Sequence, residues 1–214
     1  MQLRWQIAQF FEMHWWRRYL SGKDKTAYLN WKKAYWQALL DRLCLRIPAG
    51  AAVLDAGCGP AGIFTILPNS QVDALDPLLD RYEQYLPHFR RSDYPYVRFF
   101  CKPLEQFVPE KPYAWVFCLN AINHVSDLQI CFDRLFACTQ NGGTLLVSID
   151  THNHGWLKRI FRLFPGDILH PHQYDLEEYQ DMLRSRGFQI VQTVLLKKEW
   201  IFSYYLIAAT RTSV

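Results

Sequence analysis

The stretch VLDAGCGPAGIF, residues 53–64, places Gly57, Gly59 and Gly62 in a G-x-G-x-x-G spacing directly after a short apolar run. Glycines so spaced let the backbone turn tightly and approach a bound nucleotide, which then lies against the start of whatever helix follows. Two carboxylates accompany the turn: Asp55, two residues before Gly57, and Asp76, 21 residues after Asp55. An acid about 20 residues past such a turn is placed to bind ribose hydroxyls. Of the seven histidines, four fall in two short stretches, DTHNHGW (with Asp150, His152 and His154) and ILHPHQY (His170 and His172), and His124 stands in CLNAINHVSD. Histidine is matched to proton abstraction near neutral pH, so these five are candidate bases. The competing reading is that they cap loops and bond backbone. His-x-His beside an aspartate also offers metal ligands, but neither a helical H-x-x-x-H nor a cysteine partner accompanies it, and no metal is expected.

These residues need elements to hold them. Residues 1–46 read as two helices separated near SGKDK (21–25), with Trp31, Tyr35, Leu39 and Leu43 at helical spacing in the second. From residue 51 the texture changes to short apolar runs alternating with helical stretches. The runs are AAVLDAG, QVDALDP, VRFFCKP, YAWVFCLN and GTLLVSID, with helices expected over 61–67, around 78–89 and over 127–138. That alternation implies a Rossmann-like α/β fold, a mostly parallel sheet with helices on both faces. FQIVQTVLLKK and SYYLIAATR are both strand-like but too close together for a crossover helix, so they should pair antiparallel. The organisation expected is a helical N-terminal cap, 1–50, on a single domain, 51–214.

Bulk properties narrow the classes. A net charge of +4 is too mild to argue for nucleic acid. No run approaches the ~20 apolar residues of a membrane span, and the opening MQLRWQIAQFFEMHWWRRYL is interrupted by Glu12 and His14, unlike a signal peptide. Six cysteines without C-x-x-C spacing, several inside apolar runs, suit a reduced, cytoplasmic protein.

The glycines fit either a dinucleotide or S-adenosylmethionine. Asp55 separates the two, because a carboxylate beside a pyrophosphate would cost about 1–4 kcal/mol of Coulomb energy. The sulfonium and α-ammonium of S-adenosylmethionine would instead be attracted. Residues 51–210 resemble the class I S-adenosylmethionine-dependent methyltransferases, in particular the small-molecule group that includes ubiquinone and menaquinone methyltransferases. VLDAGCGPAGIF is similar to their first motif, ALDP to the acidic end of their second strand, CLNAINHVSD to the strand-four motif and NGGTLLVS to the fifth strand. EEYQDMLRSRGFQIV is similar to the helix and strand that follow, and the antiparallel ending to their inserted seventh strand.

The resemblance implies a seven-stranded sheet and methyl transfer from S-adenosylmethionine to a small, hydrophobic or aromatic acceptor at oxygen or carbon. It implies that Asp55, Gly57, Cys58, Gly59, Ala61 and Gly62 surround the methionine half of the cofactor. Asp76 would take the ribose hydroxyls, Pro77 and Leu78 would lie by the adenine, and Asn120 would meet the methionine amino group. Three departures stand out: Ala61 where a third glycine is common, Pro103 where an aspartate usually meets the adenine, and Ala114 in place of an acid before strand four. Leu104 and Glu105 therefore inherit the adenine contact. A non-catalytic cofactor-binding module is the first rival, an RNA or protein methyltransferase the second and a dehydrogenase the third. Trp5, Trp15, Trp16, Trp31 and Trp36 must bury against something, and an apolar cover over the acceptor site is expected of them, together with WLKRIFRLF (156–164). Arg17, Arg18, Lys158, Arg159 and Arg162 would ring the entrance, suited to an anionic acceptor or a peripheral membrane contact.

Overall fold

The computed structural model describes residues 3–152, 174–200 and 202–212. Its centre is a seven-stranded sheet: β1 (Ala52–Ala56), β2 (Gln71–Leu75), β3 (Val97–Phe100), β4 (Tyr113–Cys118), β5 (Thr139–His152), β6 (Phe188–Lys198) and β7 (Phe202–Arg211). The spatial order is β3-β2-β1-β4-β5-β7-β6. β1 to β5 run parallel, and β7 is inserted antiparallel between β5 and β6, as the short link between the last two runs requires.

The central strands are buried on both faces, so they are mostly apolar and successive residues feed opposite cores, whereas the edge strand β6 is largely exposed. Val53, Phe117 and Leu146 belong to one core, Leu54, Val116 and Leu145 to the other. The first core is closed by α1 (Leu3–Leu20), α2 (Lys25–Arg42) and α3 (Leu79–Tyr85). The second is closed by α4 (Leu128–Cys138) and α5 (Leu176–Arg184). Side chains start three of these helices: Asp24 accepts from Ala27 N–H at 2.8 Å, Asp127 from Ile130 N–H at 3.0 Å, and Asp175 forms a reciprocal box with Glu178. Gly22, with φ of +76°, turns the chain between α1 and α2.

The helix expected over 61–67 is absent. Two single 3₁₀ turns, Gly59–Ala61 and Ile63–Ile66, stand there instead. The cause is local: Gly62 is extended between them, the buried Asp55 carboxylate takes the Phe64 N–H at 3.1 Å, and the Trp36 indole donates to the Ala61 carbonyl at 3.0 Å. α2 thus ties down the glycine turn from outside. Its Trp36, Leu39 and Leu40 are buried in the same core as β1 and β2. Each contributes about 1.5–3 kcal/mol relative to an exposed position, which makes α2 part of the core. α1 is less committed, burying Gln9, Met13 and Leu20 while much of its other side faces outward.

Candidate functional site

Strand order reverses at β1, whose neighbours are β2 and β4, and in such sheets ligands gather at the carboxyl ends beside that point. A cavity of about 550 Å³ opens there. Its floor is the turn after β1, where Gly57 and Gly59 have φ of +73° and +58°. A Cβ on Gly57 would collide with the Cβ of Ala121 in the loop after β4, so the two loops touch only because glycine is there. Asn120 is itself left-handed (φ 55°), a conformation that asparagine tolerates, and its N–H donates to Ser148 Oγ at 2.6 Å.

Of the residues singled out from the sequence, Gly57, Cys58, Gly59, Ala61, Asp76, Pro77, Leu104, Glu105, Asn120 and His124 line this one cavity. Asp55, Gly62 and Leu78 do not; they stand behind its wall. Asp55 is buried on the Phe64 N–H, and a Cβ on Gly62 would strike the same carboxylate. Leu78 packs in the first core and gives its N–H to Asp76 at 2.8 Å. Glu105 faces the cavity while its carboxylate accepts from the Ser126 N–H and hydroxyl, both at 2.8 Å, beside the start of α4. His152 closes β5 at the same end of the sheet. His154, His170, His172 and the 156–164 stretch lie outside the described residues. Among the described residues no cluster of metal-ligating side chains occurs, and no helix is long and apolar enough to cross a membrane.

The other walls come from α1 and α2. Two of their residues carry charge that the glycine-turn motif does not assign. Glu12 lies beside Asp76, receives the Tyr82 hydroxyl at 3.5 Å and the Gln9 amide at 3.3 Å, and is held above the usual carboxylate range by burial. Lys32 has its ammonium 4.4 Å from the centre of the Trp36 ring, and burial lowers its pKa to about 8 although the Asp55 charge pulls the other way. A signal existed for each. Glu12 falls on the Gln9–Met13–Trp16–Leu20 stripe and Lys32 on the Tyr28–Trp36–Leu39 stripe, and a charge on a burying stripe asks for a partner or a ligand.

Asp76 is the hub. One of its oxygens accepts from Gly59 N–H at 2.9 Å and the other from Leu78 N–H at 2.8 Å. Burial first, and the Glu12 charge second, raise its pKa to about 7. Burial likewise raises Asp55 to about 7. Three buried acids around a glycine turn suit a cationic nucleoside and repel a pyrophosphate. The residues fit S-adenosylmethionine in a second respect: the Gln9 amide oxygen and the Tyr28 hydroxyl, both on cavity-lining residues, are buried without a hydrogen-bond partner among the described residues.

Fold and site together define a class I methyltransferase. A family model described as a methyltransferase domain matches residues 28–193, and the chain belongs to that family. Over 112 residues it is 30% identical to the ubiquinone biosynthesis O-methyltransferase of Rhodopseudomonas palustris (strain BisB18); the match spans 50% of this chain and 42% of that protein. Among solved structures, the YcgJ protein of Bacillus subtilis superposes with a TM-score of 0.66 at 14% identity, covering 85% of this chain and 100% of that one. The magnesium protoporphyrin IX methyltransferase of Synechocystis PCC 6803 gives a TM-score of 0.61 at 19% identity, covering 95% and 94%. At these identities the two superpositions speak for the fold.

Proposed function

We propose that the protein methylates a small hydrophobic or aromatic acceptor, at oxygen or carbon, with α1 and α2 covering the acceptor. The observation that carries this reading is the continuity of the cavity. Its floor holds the glycine turn and the buried carboxylates, and its outer part is walled by Phe11, Trp15, Tyr19, Tyr28 and Trp31. Flat apolar faces select flat or greasy molecules and exclude water. When bound, S-adenosylmethionine supplies an activated methyl whose departure leaves the electron pair on sulfur. The chain's contribution is alignment at roughly 3–3.5 Å and removal of a proton where the acceptor is a hydroxyl. Asp76 takes ribose hydroxyls on its free lone pairs, Asn120 meets the methionine amino group, and Leu104 and Glu105 border the adenine. His124 is the described histidine on the cavity and the base of this reading. Lys32 stands across from the turn and holds the methionine carboxylate.

Calorimetric titration tests the cofactor half of this proposal. S-adenosylhomocysteine should bind at micromolar levels and NADH much more weakly; the reverse order would sink it. In the same titration Lys32→Met should weaken S-adenosylhomocysteine by about tenfold, the loss of one charged hydrogen bond, while thermal stability holds or rises because a buried charge is gone. Unchanged affinity would assign the carboxylate to another group.

A further inference from the structure

The outward side of the two N-terminal helices is apolar although exposed. On α1, Ile7, Phe10, Phe11, Trp15 and Arg18 share it at helical spacing, and on α2 Trp31 and Tyr35 do. The six apolar or aromatic residues among them are between 37% and 62% exposed. The rings are continuous from one helix to the other: Trp15 stacks on Tyr19 at 4.8 Å, Tyr19 meets Tyr28 at 6.3 Å, Tyr28 meets Trp31 at 6.1 Å and Trp31 meets Tyr35 at 6.1 Å. Phe11, Trp15 and Trp31 also line the cavity, so the patch is its mouth. Patches of this kind mark an interaction surface.

Charge says which partner. The first 36 residues carry seven Lys and Arg against two acids, in a chain whose net charge is only +4; Lys25 is paired with Asp93 at 2.8 Å and Lys32 lines the cavity, while Arg17, Arg18, Lys23 and Lys33 are exposed. Of the two acids, Glu12 faces inward to Asp76 and Asp24 is engaged as the start of α2. Lys23 sits 3.3 Å from the centre of the Tyr19 ring, Arg17 lies 5.6 Å from that of Tyr85, and Arg17 and Arg18 are exposed. Aromatic rings rimmed by uncompensated cations match the boundary of an anionic bilayer, where rings enter the headgroup level and each basic residue gains from the negative surface. A second copy is disfavoured, because a two-fold contact would set the same cations against each other.

We infer that the α1–α2 face docks on an anionic lipid surface, with the mouth of the cavity against the bilayer. A lipid-dissolved amphiphile then reaches the cavity without crossing water; that second clause rests on the methyl-transfer reading, and the docking does not.

The test is co-sedimentation of the full chain with phosphatidylcholine vesicles, pure or containing about one third phosphatidylserine. Binding to the anionic vesicles alone is expected, weakening as salt rises, with a blue shift of tryptophan emission. Phe10→Ser with Arg18→Glu, neither residue on the cavity, should lower the partition coefficient by about tenfold or more while S-adenosylhomocysteine affinity stays at the wild-type value. That affinity shows the variant folded and reports separately on the cofactor reading. Absence of vesicle binding, equal binding to neutral vesicles, or variant binding as tight as wild type overturns the inference. So does a wild-type dimer in light scattering that the double variant dissolves, which would give the face to a second copy.

Discussion

S-adenosylhomocysteine affinity is expected to pass through a maximum between pH 7 and 8, and Asp76→Asn is expected to erase its acid limb. In the folded chain Asp76 holds its proton up to about 7, because burial and the neighbouring Glu12 disfavour a second charge. The pKa is raised above the unfolded value, so the stability it contributes is complete below about pH 4 and is lost as pH rises through 7. Ribose hydroxyls and an ammonium favour the ionised form, so binding must first remove that proton. Affinity should then rise about tenfold from pH 6 to 8, a limb that belongs to the Asp76–Glu12 pair. Above about 8 Lys32 loses its charge and the methionine carboxylate loses its partner. Lys32→Met should flatten the alkaline limb alone. Asp76→Ala goes further: besides the ribose it strips an acceptor from the Gly59 and Leu78 N–H groups, and a loss of about 10- to 100-fold is expected at pH 7.5. Calorimetric titration across pH 5.5–9 checks all three; a flat wild-type profile would remove Asp76 from the ribose.

Gly57→Ala should abolish measurable cofactor binding. Two penalties combine: a left-handed backbone, about 1–2 kcal/mol for a residue with a Cβ, and a collision with Ala121 that forces the loops after β1 and β4 apart. Overpacking of this kind costs about 1–3 kcal/mol and, at this point, moves the cavity floor itself. The compensating variant separates the two. Gly57→Ala with Ala121→Gly removes the collision and leaves the backbone term, so most of the binding and thermal stability should return. A double variant no better than the single one would show that the left-handed turn, and not the contact between loops, dominates.

Much of this fold was legible in the sequence because strands buried on both faces write themselves as short apolar runs. The antiparallel ending followed from the mere shortness of the link before Phe202. The 61–67 helix was misread for a physical reason: its apolar residues are core, but Trp36 and Asp55 take the backbone groups that a regular helix would bond internally. Glu12 and Lys32 stand in helices whose rings dominate the pattern, and their place in the site shows only once those rings face a cavity. That Asp55 turns inward, while Asp76 faces the ligand space, depends on how the turn closes around Phe64, which spacing does not encode. Of the five candidate bases, His154, His170 and His172 lie outside the described residues, and His124 is the one that the described geometry brings to the cavity.

β7 comes later in the chain than either strand it lies between, and α2 reaches across to the β6 side, where Arg42 donates to the Leu195 carbonyl at 2.8 Å. The helices that precede the sheet in the chain therefore find part of their footing only when the closing hairpin arrives. Until then β5 presents an open edge and the Arg42 guanidinium lacks that acceptor. A topology so dominated by distant pairings folds slowly, and the open edge of β5 is the part of the sheet that stays unpaired longest.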